Sequence, residues 1–158
     1  MIQIEIPGRD QPLVIEALVL DYNGTIAADG NLVDGIAERI RLLSERVSVY
    51  ILTADTYGSV RQQCAELGAE ILTFPRAGAG ACKEEIVRGL AAKKRTCVIG
   101  NGFNDMQMFA LADLAIAVLD AEGLYPGLLS RTDVLVRAAP DALDLLLLPD
   151  RLRATLRN

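Results

Sequence analysis

Short runs of continuous apolar residues alternate with amphipathic stretches along the chain. IQIEI (2–6) and LVIEALVLD (13–21) are rich in β-branched residues and are separated by PGRDQP, so two strands joined by a turn are predicted. From Asp34 to Arg46, Ile36, Ile40 and Leu43 recur at helical spacing among polar residues, with Asp34 as the expected cap. VSVYILT then reads as a buried strand ending at Thr53, followed by a helix near 57–67, a strand EILTF (70–74), a helix near 80–91 and a strand TCVIG (96–100). A helix near 105–112, strands LAIAV (114–118) and DVLVR (133–137) and a helix over 141–148 complete the pattern. Continuous apolar strands alternating with helices imply an α/β fold: a doubly wound, Rossmann-like parallel sheet covered on both faces, with a small N-terminal β-hairpin. At 158 residues a single domain over 1–158 is expected.

In such a sheet ligands bind beyond the carboxyl ends of the strands. The predicted ends carry Asp21 with Asn23, Gly24 and Thr25 behind it, then Thr53, then Arg76 with AGAGACK, and finally GNGFND from Gly100 to Asp105. Composition narrows what this edge can do. The chain has no histidine, which removes Ser-His-Asp and Cys-His machinery and histidine-ligated zinc. Its net charge of −5 argues against holding a nucleic acid by bulk attraction. Cys64, Cys82 and Cys97 form no Cys-x-x-Cys and read as reduced thiols. MIQIEIPGRD has no basic segment leading into an apolar stretch, and LDLLLL (143–148) is too short to cross a bilayer, so a cytoplasmic protein away from membranes is expected.

Transfer of a phosphoryl group needs an ionised oxygen nucleophile, a cation between the two anions and fixed donors for the equatorial oxygens. Asp21 is the candidate nucleophile, although an aspartate at a strand end also serves as an ordinary turn residue. Gly24 and Thr25 would bend and hold the backbone there, as they would in any Asn-Gly turn. Thr53 offers a hydroxyl and, through Ala54, a following backbone N–H; alone it would equally be structural. The chain has 13 Arg and only 3 Lys, and Lys83 stands apart from the adjacent Lys93 and Lys94. A compact ammonium bridging a carboxylate and a phosphate is one reading of it, and a solvated partner for Glu84 is the other. AGAGACK lacks the Gly-Lys-Ser/Thr step of a nucleotide loop, and GNGFND lacks the third glycine of a dinucleotide fingerprint.

DYNGT, ILT, the lysine inside a later helix and IGNGFND, in that order, resemble the haloacid dehalogenase superfamily of phosphohydrolases, in particular its soluble P-type-ATPase-like branch. The resemblance runs from about Leu18 to Ala117, and APDALDLLLLPDRLRATL is similar to that branch's tail. It implies that Asp21 forms an aspartyl-phosphate, that Thr53, Ala54 and Lys83 contact the phosphoryl group, and that Gly24 and Thr25 support it. It also implies magnesium held by Asp21, the main-chain oxygen of Asn23 and the Asn101 side chain, with Asp105 contacting a metal-bound water or Lys83.

Two positions depart from the family. Asn23 stands where most of these phosphatases have the aspartate that protonates the leaving oxygen, and an amide cannot exchange a proton near neutral pH. Asn101 replaces a second usual carboxylate, so weaker magnesium binding is expected. Slow hydrolysis of an acyl or aryl phosphate, a small metabolite or a phosphorylated macromolecule follows; the alternatives are a phosphate sensor with little turnover and a domain that holds phosphate for a partner. The stretches flanking Thr53 are too short for an inserted lid, so the site should be open and capless. Tyr22, Tyr57 and Phe103 could line its entrance, although aromatics beside strand ends are more often packing residues, and pairing through the N-terminal strands is a route to a homo-oligomer.

Overall fold

A computed structural model describes residues 1–55 and 58–158. The chain opens with β1 (Ile2–Ile4) and β2 (Leu13–Ile15), an antiparallel hairpin with Ile2 opposite Ile15. Then come β3 (Ala17–Asp21), a second small hairpin of β4 (Ala27–Ala28) and β5 (Asn31–Leu32), α1 (Ile36–Ser44), β6 (Ser48–Thr53), α2 (Ser59–Gln63), β7 (Ala69–Thr73) and α3 (Ala79–Ala91). The second half contains β8 (Thr96–Gly100), a 3-10 turn (Phe103–Asp105), α4 (Met106–Phe109), β9 (Leu114–Val118), β10 (Val134–Val136), α5 (Ala139–Leu147) and α6 (Pro149–Leu156).

Six of the strands form one parallel sheet in the order β10-β9-β8-β3-β6-β7. The chain lays β6 and β7 on one side of β3 and then returns to lay β8, β9 and β10 on the other. The switch in direction therefore falls at β3, whose last residue is Asp21. Every residue of β3, β8 and β9 is buried, as expected of parallel strands covered on both faces. Leu18 and Leu20 point into a core with Ile40 and Leu43 of α1 and Leu143 and Leu146 of α5, whereas Val19 points into a second core with Val87 of α3 and Met108 of α4. The sheet is doubly wound, as its alternation predicts.

The structure revises several boundaries. LVIEALVLD is two strands: β2 belongs to the hairpin and β3 to the central sheet, with the chain bending at Glu16, whose carboxylate accepts the Arg95 N–H. One extended run cannot pair in two sheets without such a bend. Asp34 does not cap α1; Gly35 holds that position in a left-handed conformation, φ 80°, with no side-chain cap. The helix expected near 105–112 is a 3-10 turn followed by the four residues of α4, because Asp105 turns inward. The start of the helix expected near 57–67 lies partly outside the described residues; α2 covers Ser59–Gln63. The leucine-rich tail breaks at Pro149, which cannot donate to a continuing helix. Among the described residues no helix is long and apolar enough to cross a membrane.

Arg39 of α1 clasps Asp144 of α5 through two bonds, Nε to Oδ1 at 2.7 Å and Nη2 to Oδ2 at 3.0 Å. The Arg39 bond holds the Asp144 carboxyl below the usual value of 3.8. Such a depressed group stabilises the fold above its unfolded value and loses that contribution as pH falls through its folded one. Asp144→Asn should therefore cost about 0.5–1 kcal/mol at neutral pH, since the pair is partly exposed. Urea titrations should show this difference shrinking as the solution is taken below pH ~4, with an unchanged denaturant slope.

Candidate active site

α3 follows its N-cap residue Gly78, and its second turn carries Lys83, which is 1% exposed. The ammonium donates to Asp21 Oδ1 at 2.6 Å, to Asp105 Oδ1 at 2.6 Å and to Asn104 Oδ1 at 3.0 Å, which uses all three of its donors. Asp105 is fully buried and Asp21 is 7% exposed. Two carboxylates thus share one cation away from water. Burial first, and then the neighbouring Asp105, push the Asp21 carboxyl up to about 7, against the pull of Lys83 and Thr25. Burial alone would lower the Lys83 ammonium, but Asp21 and Asp105 together hold it above its ordinary value, so it stays charged.

Asp105 is tied on its other side as well. Its Oδ2 accepts the N–H groups of Asn101, at 3.0 Å, and Gly102, at 2.9 Å, which folds GNGFND around the carboxylate. A side chain at Gly100 would stand 2.5 Å from that oxygen, so the close approach requires glycine there. After Asp21 the chain turns sharply: the Ala27 N–H donates to the Tyr22 carbonyl at 2.9 Å and the Gly24 N–H to the Ala27 carbonyl at 2.8 Å. Gly24 has φ +75° and lies against the Asn101 side chain, where a Cβ would meet Nδ2 at 2.6 Å.

Thr25 Oγ1 is 3.0 Å from Asp21 Oδ2 and 3.1 Å from Asn101 Oδ1. One hydroxyl carries one proton, so it satisfies only one of these two acceptors at a time. Asn101 Nδ2 donates to the Gly123 carbonyl at 2.9 Å, which keeps its Oδ1 turned towards Asp21. Two converging oxygens sharing one donor fit a hard cation with oxygen ligands. The set is mixed; among the described residues no three His, Cys, Asp or Glu side chains cluster to hold a metal.

These groups border a cleft of about 400 Å3 at the end of β3, whose walls include Asp21, Asn23, Thr53, Ala54, Lys83 and Asn101. Gly24, Thr25 and Asp105 stand behind that wall and hold it. Thr53 is buried and its hydroxyl oxygen accepts the Asp55 N–H at 3.1 Å, leaving the hydroxyl proton to be donated elsewhere. Asn23 is exposed at the mouth. A larger groove of about 610 Å3 lies at the opposite, amino-terminal edge of the sheet, where Lys94 is held by Ser48 Oγ and Tyr50 Oη.

Of the aromatics expected at the entrance, Phe103 is exposed on the cleft wall and packs edge-on against Tyr125. Tyr22 is buried, with its hydroxyl donating to the Gly30 carbonyl at 3.2 Å, and Tyr57 lies outside the described residues. Sequence reading passed over Asn104, the third acceptor of Lys83, although it stands inside GNGFND. It also passed over the β4–β5 flap, whose Asp29-Gly30 turn has φ 50° and 79° and follows a known two-residue hairpin rule. Glu122 Oε1 accepts the Asp29 N–H at 3.0 Å and pins that flap; no motif marks it.

The model of the haloacid dehalogenase-like hydrolase family matches residues 4–113. The uncharacterized proteins MJ0072 and MJ0073 of Methanocaldococcus jannaschii are 54% identical over 39 residues and 43% identical over 65 residues, covering 25% and 41% of this chain and 89% and 70% of theirs. The cobalt-bound deoxy-D-mannose-octulosonate 8-phosphate phosphatase of Haemophilus influenzae superposes with a TM-score of 0.68 at 15% identity, covering 91% of this chain and 94% of that one. The corresponding enzyme of Moraxella catarrhalis, solved with magnesium and phosphate ions, gives 0.63 at 16% identity over 90% and 94%. A zinc-transporting PIB-type ATPase gives 0.63 at 24% identity over 79% of this chain and 20% of that one.

Replacing Lys83 by Met would leave two buried carboxylates without a counter-charge, at a cost of about 3–5 kcal/mol. The Asp21 carboxyl, already raised by burial, would bind a proton in the native variant as the solution is acidified, so the loss should be largest near pH ~8 and smaller near pH ~5. Urea unfolding of both proteins at the two pH values checks this; an equal loss at both would mean that charge is not the reason.

Proposed function

Because the chain belongs to the haloacid dehalogenase-like hydrolases, we propose that it is a magnesium-dependent phosphatase that works through an aspartyl-phosphate on Asp21. The observation that carries this reading is the Lys83 ammonium, bonded at 2.6 Å to both Asp21 and Asp105 beside an open cleft at the sheet's switch point. We also propose that residues 1–158 act as one hydrolase domain, because β9 and β10 lie beyond the matched residues and continue the same sheet. A cytoplasmic location belongs to the same proposal.

A magnesium ion, when bound, screens the repulsion between nucleophile and phosphoryl oxygens; Asp21, the Asn101 side-chain oxygen and the main-chain oxygen of Asn23 are the groups that would hold it. Asp21 attacks phosphorus in line, and the bond to the leaving oxygen breaks on the far side. Thr53 donates its free hydroxyl proton, and Ala54 its N–H, to equatorial oxygens. Lys83 follows the negative charge from the carboxylate to the phosphoryl group, while Asp105 and Asn104 keep its ammonium in place. Water then attacks the phosphorus, the bond from phosphorus to the Asp21 oxygen breaks, and inorganic phosphate leaves as the Asp21 carboxylate is restored.

Asn23 sets the speed. At the mouth of the cleft its amide can hydrogen-bond a leaving oxygen but cannot protonate it, and that proton transfer is commonly worth about 10²- to 10⁴-fold. Leaving groups that depart as stable anions are favoured, so acyl and aryl phosphates are the preferred class. A phosphorylated small molecule fits the cleft's volume. The same asparagine favours a second reading, a phosphate-sensing protein that keeps the site and turns over little.

The decisive comparison is hydrolysis of an aryl and an alkyl phosphate, with magnesium and with chelator, by the wild type, Asp21→Asn and Asn23→Asp. We expect magnesium-dependent aryl phosphatase activity lost in Asp21→Asn, and a gain of roughly 100-fold in Asn23→Asp that is greater for the alkyl ester. No turnover in either the wild type or Asn23→Asp would favour the sensor.

A further inference from the structure

The cleft over Asp21 does not end at Asn23. Asn23, Ala54, Ala79 and Asn104 also line a second cleft of about 550 Å3, so the two form one continuous concave surface. Its far wall carries Arg76, which follows β7 and is exposed. Lys83 and Arg76 are the cationic side chains along the two clefts among the described residues, and they differ in what they have left to give. Lys83 has all three donors engaged by Asp21, Asp105 and Asn104. Arg76 has neither an ion pair nor a hydrogen bond among the described residues. Asp55 on the same surface has its Oδ2 drawn towards α2 by the Ser59 hydroxyl and the Val60 N–H, each at 2.9 Å. An unpaired guanidinium in a concavity, on a chain with 21 acidic residues and a net charge of −5, is a local attractor for anions.

We propose that Arg76 is a specificity-determining residue, which pairs with a second anionic group, a carboxylate or a second phosphate, on the leaving portion of the substrate. This rests on the phosphatase reading for the position of the reacting phosphoryl group at Asp21. With that group beside Lys83, the rest of the molecule leaves past Asn23 into the second cleft. The planar fork of Arg76 matches either oxyanion in a bidentate pair. The substrate class is therefore a phosphorylated acid or a bisphosphate rather than a neutral phosphate ester.

The test needs no turnover. Wild-type protein with magnesium is titrated calorimetrically with butylphosphonate, phosphonobutyrate and butane diphosphonate, which differ in the group at the far end. One of the doubly anionic ligands should bind roughly ten-fold more tightly than butylphosphonate, a difference that Arg76→Met removes and Arg76→Lys partly restores. Tighter binding of phosphonobutyrate identifies a carboxylate, and tighter binding of the diphosphonate a second phosphate. Equal affinities in the wild type, a preference that survives in Arg76→Met, or no binding of any of the three overturns the proposal. A preference dependent on Arg76 in a chain that hydrolyses nothing would retain the anion site and reject the phosphatase reading. Hydrolysis without the preference would do the reverse.

Discussion

Burying a lysine ammonium is expensive unless carboxylates surround it, and here the cluster is assembled from three separate stretches of chain. Asp21 comes from the end of β3, Asp105 from the turn after β8, and Lys83 from α3, which covers the face of the sheet between them. No two of these are neighbours in sequence, so the cluster exists only when β3, β8 and α3 are packed in their final places. The dependence runs both ways. Asp105 also holds the N–H groups of Asn101 and Gly102, so the loop that turns Asn101 towards Asp21 is organised by the same carboxylate that neutralises Lys83. Packing of the α3 core and geometry of the site are one constraint seen from two sides.

The parallel sheet was legible because its strands are apolar throughout: ALVLD, TCVIG and LAIAV carry no alternation that would place one face in water. Asp21, Thr53 and Lys83 were legible as candidates because each stands at a strand or helix end in a chain poor in lysine and devoid of histidine, whereas Asn101 became a candidate through the resemblance of GNGFND to the superfamily's motif. What escaped was decided by tertiary demand. Nothing local in LVIEALVLD says that Glu16 bends the chain between two sheets, and Asp34 has the composition of a cap although Gly35 takes the position. Tyr22, beside a strand end, was open to an entrance or a packing role; the strand's alternation carries it into the core. The Asp29-Gly30 hairpin was available to a closer reading, whereas Glu122, far along the chain, was not.

Asn23 and Asn101 change the electrostatics of this arrangement in one direction. Both are neutral amides where the resemblance to the superfamily implies carboxylates, so the groups around Asp21 carry little negative charge of their own. Asp21 is then left as the principal anion facing the cleft, since Asp105 is spent on Lys83 and on its own loop. The two aspartates thus differ in placement, Asp21 facing the cleft and Asp105 wholly internal. Among the described residues the walls of the cleft carry few charged side chains, which gives weight to those found there.

The central claim is that Asp21 becomes covalently phosphorylated while Lys83 and Asp105 hold the site together. The most direct measurement is acid quenching of the protein after mixing with an acyl phosphate and magnesium, followed by mass spectrometry of its peptides. The account predicts one added phosphoryl group on Asp21, labile to hydroxylamine as a mixed anhydride must be. Turnover with no such species, or a hydroxylamine-stable phosphoryl group on Thr53, would contradict it.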